Sequence, residues 1–321
     1  MMKRLVEAAI VAALLAWPHA APVVSAQQGA QAEPLRIIPT DSLFDRYLVE
    51  PKWGHLPAGQ PWGGVTTGVA ADGKGTVVVL VRAAPYFRVF RTDGTFVKAW
   101  GEAGAFGQPH SVHFGPDGGI WASDPNRNVV YKFSPEGTLL MTLGKSGVRG
   151  DNTSRDAFTR PAGLTVAKNG DVFVADGYVN SRVVHFDKSG KLIKIVGGKK
   201  GSGAGELSLP HAVAIDSKGQ ILVGDSDNKR IVVFDSAGTY VTSFPGPSRG
   251  GLVITPDDTL YASDVNAGVV TVFRNHQIAD VIRLGSRPHG MDVDPTTGDV
   301  YVASTVPDAP NVMKASPKRR P

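Results

Sequence analysis

The chain has 321 residues, 42% of them apolar and 20% charged, with no cysteine and a formal net charge of +5. That length buries a full core without disulfide staples. The charge excess is mild and unstriped, and aromatic residues are not interleaved with it, so no nucleic-acid partner is expected. Beyond the N-terminus no apolar run approaches the length of about 18 residues that a membrane span needs, so an integral membrane protein is not expected either.

Residues 1–26 read as a secretory signal. Lys3 and Arg4 lead it, residues 8–17 form a short apolar run, and Val24-Ser25-Ala26 makes a small-x-small cleavage site. A periplasmic or secreted location is the expectation. Residues 27–40 are rich in Ala, Gln and Pro and read as a disordered leader. Residues 41–316 read as one repeat domain, and residues 317–321 as a solvated basic tail.

The repeat is clearest over residues 209–244, LPHAVAIDSKGQILVGDSDNKRIVVFDSAGTYVTSF. Four runs of four to six β-formers alternate with Ser/Gly/Asn/Asp turns. Copies begin with QPHSVHF at Gln108, RPAGLTV at Arg160, RGGLVIT at Arg249 and RPHGMDV at Arg287, and a weaker one with TTGVAA at Thr66. A four-stranded unit of about 40 residues, repeated, is a propeller blade. The expected fold is all-β: a six-bladed β-propeller with blades near 62–102, 108–144, 158–197, 207–244, 246–285 and 287–315. The last unit holds only three strands. The strand-like FDRYLVEPKW at residues 44–53 is expected to supply the fourth and close the ring. The polar linker 145–157 reads as a surface loop, and the Gly-rich 197–205 as a flexible connection.

One column of the repeat runs Thr67, His110, Ala162, His211, Gly250, His289. Histidine fills the second, fourth and sixth units. Alternate units of a six-fold ring are about 120° apart, so three imidazoles would converge on the axis. Three His ligands with an open position make a catalytic zinc arrangement. The plainer alternative, that His only follows Pro in this repeat, stays open at this point. A second column, Asp124, Asp176, Asp225, Asp264 and Ser304, reads as structural, capping the turn to the next strand; Asp176 and Asp225 are those that could also line the channel. His55, His113, His185 and His276 fall outside the column and read as packing or surface residues.

The segment SDNKRIVVFDSAG at residues 226–238 resembles the NHL repeat. ADGYVNSRVVHF at residues 175–186, the pairs Pro109-His110, Pro210-His211 and Pro288-His289, and VLVR ending at Arg82 together resemble peptidyl-α-hydroxyglycine α-amidating lyase. That resemblance implies Zn2+ on His110, His211 and His289, with Tyr178 and Arg82 catalytic, and a small-molecule or peptide substrate. It covers about residues 44–314. The departures are specific. Thr159 and Val179 stand where the family has a cysteine pair, Ser226 where it has a second arginine, and Arg287 where it has methionine. Gly290 stands where an aspartate helps bind Ca2+, so the resemblance does not carry calcium over.

The chemistry implied is the cleavage of a carbinolamide, N–CH(OH)–COO⁻, to an amide and glyoxylate. A metal acidifies the hydroxyl, Tyr178 takes its proton, and the Arg82 fork suits a carboxylate. Two other classes compete: a non-catalytic NHL propeller that binds a peptide, glycan or protein, and a calcium-dependent lactonase. The histidine column argues against the lactonase, whose axial sites use acidic and amide side chains. A monomer is expected.

Overall fold

The computed structural model describes residues 46–247, 249–306 and 311–318. Among them are six four-stranded antiparallel sheets and no helix. The expected signal (1–26) and leader (27–40) lie outside the described residues, as do the last three residues of the tail.

The six innermost strands are Thr66–Ala71, Val112–Phe114, Leu164–Val166, Pro210–Ile215, Leu252–Ile254 and Pro288–Val293. The strands beside them, such as TVVVLV at Thr76–Val81 and ILVGD at Ile221–Asp225, are buried along nearly their whole length. That explains why they read as continuous apolar runs and not as alternating ones: each sheet is covered on both faces. The outermost strands, such as Leu139–Gly144, are largely exposed. Each of the six apolar clusters among the described residues straddles two adjacent sheets. Val183 and Phe173 of the third blade meet Val223 and Val232 of the fourth, for example. Val69 and Val79 of the first blade meet Tyr301 and Ala303 of the last, which closes the circle.

The closing strand is the one expected from the sequence. Tyr47–Glu50 pairs antiparallel with Val312–Pro317, in the register Tyr47 to Pro317 and Glu50 to Lys314. Pro317 therefore belongs to the last strand and not to the tail. Trp53, 2% exposed, wedges between Tyr301 and Phe90 at ring distances of 4.8 and 5.4 Å. It thereby locks the last blade to the first.

Linker 145–157 is more than a surface loop. Arg182, fully buried, donates to the carbonyls of Ser154 and Ala157, while the Asn152 side chain accepts from the Ser181 N–H. The linker is thereby fastened to the DGYVNSR segment.

Three innermost strands break register where the axial column begins, at Thr66/Gly68, Pro210/Ala212 and Pro288/Met291. The residues left out of the ladder include Thr67, His211 and His289. A bulge re-aims a side chain, and here it turns column residues out of the inter-blade packing toward the axis.

Candidate metal centre

His110, His211 and His289 converge. Their ring centroids lie 4.7 to 5.1 Å apart and their ligand nitrogens all within 4.8 Å of one another. The rings are 1%, 2% and 6% exposed. Each Nδ1–H donates to a backbone carbonyl: His110 to Ala162 (3.1 Å), His211 to Gly250 (2.8 Å) and His289 to Thr67 (2.8 Å). Those three acceptors are the other three members of the same column. Alternate blades thus supply the imidazoles, and the blades between them supply the carbonyls that orient them. The tautomer is fixed by these bonds, which leaves each Nε2 with its lone pair. Burial holds all three imidazoles far below the ordinary range, with His211 at about 3 and His289 at about 4; neighbouring imidazoles and arginines add to the effect. The rings are therefore neutral ligands at physiological pH.

The donor set fits a metal ion. Zinc–imidazole bonds of about 2.0–2.1 Å need the nitrogens drawn in by less than about 1 Å each. The axial cavity beside them is about 40 Å³ and is lined also by Gly163, Gly251 and Gly290. It has room for an ion and a few waters. At Gly290 a Cβ would stand 2.4 Å from the Thr67 carbonyl that accepts from His289, so glycine is required there.

Tyr178 covers the ring. Its hydroxyl donates to the His110 Nε2 at 2.7 Å and lies 3.2 Å from the His211 Nε2. The DGYVNSR turn delivers it. Asp176 and Asn180–Arg182 repeat the Asp225 and Asn228–Arg230 pattern of the next blade with one added residue in the turn. Gly177 lets this turn touch the neighbouring blade: a Cβ there would stand 1.8 Å from the Pro210 carbonyl, next to His211. Burial raises the Tyr178 pKa, and Arg249, Arg82 and Arg160 oppose that rise. Arg82 is close enough to Tyr178, His110 and His289 for its charge to act on each. Arg160 and Arg249 were not foreseen. The Arg160 guanidinium stands 5.6 Å from the Tyr178 ring centroid. Arg249 precedes Gly250 and acts on Tyr178, His211 and His289. Ser226 is buried and uncharged, with its N–H on the Leu209 carbonyl.

The aspartate column does a different job from turn capping alone. Asp124 accepts from the N–H groups of Gly107 and Gln108, Asp176 from Thr159, and Asp225 from Ser208. Each carboxylate clamps the preceding loop, the one that leads into its own blade's column residue. All three are fully buried. Asp176 and Asp225 spend their remaining capacity on Asn180 and Arg182, and on Asn228 and Arg230. Neither lines the channel. The off-column histidines pack as expected: His185 stacks on Phe173 and bonds Asp171, and His276 stacks on Phe244.

Residues 158–186 and 207–234 match the NHL repeat model. The chain is an NHL-repeat propeller. It is 28% identical over 285 residues to human NHL repeat-containing protein 3, covering 80% of this chain and 81% of that protein. A probable peptidyl-alpha-hydroxyglycine alpha-amidating lyase of Caenorhabditis elegans is 34% identical over 137 residues, covering 42% of this chain and 39% of that one. Among solved structures, a streptogramin B lyase superposes with a TM-score of 0.64 at 13% identity, over 85% of this chain and 98% of its own; that likeness is one of fold. The propeller thus has relatives named as amidating lyases and carries three buried histidines able to hold a metal ion.

Proposed function

We propose that this propeller is a zinc-dependent lyase that cleaves an α-hydroxyglycine-type carbinolamide to an amide and glyoxylate. The observation that carries the reading is the Tyr178 hydroxyl, 2.7 Å from the Nε2 of one ring histidine and 3.2 Å from that of another. A proton acceptor and a ligand set for a Lewis acid share one point. His110, His211 and His289 would hold the zinc, which when bound lowers the pKa of the substrate hydroxyl. Tyr178 takes the hydroxyl proton. As the C–O bond becomes the carbonyl of glyoxylate, the C–N bond breaks, and the amide nitrogen leaves with the bonding pair and takes the proton that Tyr178 removed from the hydroxyl. Arg82 holds the carboxylate and, with Arg160 and Arg249, stabilises the phenolate form of Tyr178. Export by the N-terminal signal belongs to the same proposal.

The alternative is a binding propeller whose metal only ties alternate blades together; the relative that matches over most of its length is named only for its NHL repeats. Glyoxylate release separates the two. Zinc-loaded protein should release glyoxylate from N-benzoyl-α-hydroxyglycine. No release from any α-hydroxyglycine derivative would sink the lyase reading.

A further inference from the structure

We propose that Arg160 and Arg249 form a second anion site beside the histidine ring, so that the substrate carries an acidic group on its acyl side. This inference rests on the lyase reading and sharpens its substrate class. An α-hydroxyglycine unit brings one carboxylate, and one guanidinium fork suffices for it. Here the Arg160 guanidinium stands 5.6 Å from the Tyr178 ring centroid, and the charges of Arg82 and Arg249 also act on Tyr178. Among the described residues no carboxylate lies within 4 Å of Arg82, Arg160 or Arg249. By contrast Arg182, fully buried, and Arg230, partly buried, are each paired with an aspartate.

The placement of the two extra arginines follows from the repeat. Arg160 stands two residues before Ala162, whose carbonyl takes the His110 Nδ1–H. Its backbone N–H is held by the Asn128 side chain at 3.0 Å. Its guanidinium lies beside the Tyr178 ring and within 3.4 Å of the Gln108 side-chain oxygen, two residues before His110. Arg160 therefore bridges the mouth between the second and third blades. Arg249 directly precedes Gly250, whose carbonyl takes the His211 Nδ1–H, and so stands at the rim two blades on. Both side chains are exposed to solvent. Unneutralised like charges repel, and a ligand with two anionic groups relieves that repulsion where a monoanion does not. The second group is a carboxylate or a phosphoryl oxyanion.

Titration calorimetry on the purified chain with three uncleavable glycine conjugates tests this without turnover. The ligands are N-acetylglycine, N-succinylglycine and N-(phosphonoacetyl)glycine. At least one diacid should bind about tenfold or more tighter than N-acetylglycine, and the tighter of the two identifies the anion. In the Arg160→Gln/Arg249→Gln protein that preference should fall below about threefold. Equal affinity for all three, no binding of any, or a preference that survives the double substitution would overturn the proposal. The comparison within the wild-type chain stands even if the variant folds poorly. A diacid preference without glyoxylate release would sink the lyase reading and leave the anion site in place.

Discussion

At the scale of single residues the account turns on Tyr178 and the three histidines. Replacing Tyr178 by Phe removes the proton acceptor and little packing, so kcat should fall by about 100-fold or more while the melting temperature barely moves; an unaltered rate in glyoxylate assays would contradict the role. The histidines make the metal-free protein acid-sensitive. Above about pH 6.5 they are neutral in both states and contribute nothing. Between there and about 3 to 4 the unfolded chain binds protons that the buried native rings refuse. Stability should therefore fall as pH drops through that window, by several kcal/mol in order of magnitude. Urea unfolding of metal-free protein at pH 7 and 5 measures it, and His211→Ala should flatten the slope. The histidine column was legible because Pro-His recurs at one repeat position. Its carbonyl partners were not, because Thr67, Ala162 and Gly250 contribute only backbone. Arg160 and Arg249 were missed because they stand one or two residues outside the column, at positions whose residue type varies from blade to blade.

At the scale of elements, the DGYVNSR turn depends on a buried ion pair. Arg182 and Asp176 lie 2.9 Å apart with both side chains fully buried. Arg182→Ala would leave Asp176 uncompensated and release linker 145–157, at a cost of about 3–5 kcal/mol. Thermal unfolding measures that, and a loss under about 1 kcal/mol would contradict the clamp. Gly177→Ala drives a methyl into the Pro210 carbonyl. It should both lower stability, by about 2 kcal/mol or more, and weaken metal binding, because the shift falls on the residue before His211. Strands and turns were readable from β-branched runs and Gly/Asn/Asp punctuation. The clamp was not: Asp124, Asp176 and Asp225 look like local turn caps until folding brings the preceding loop onto their carboxylates. The linker misled for the same reason, since its anchors, Arg182 and Ser181, are distant in sequence.

At the scale of the whole molecule, the ring closes through Tyr47–Glu50 and displays a three-fold arrangement within six blades. A chain beginning at Lys52 would leave Val312–Pro317 as an open edge. It should melt at least about 3 °C lower and self-associate in light scattering; an unchanged melt and a monodisperse solution would contradict the closure. Six-foldness and the closing strand were both legible, because the repeat is strong and its last copy is visibly one strand short. The central claim is that alternate blades jointly hold one metal. Metal content of the chain purified from Gln27 without a histidine tag, by plasma mass spectrometry, tests that most directly. The account predicts about one zinc per chain, lost in His211→Ala. A folded protein with no metal, indifferent to that substitution, would contradict it and reduce the histidine column to a habit of the repeat.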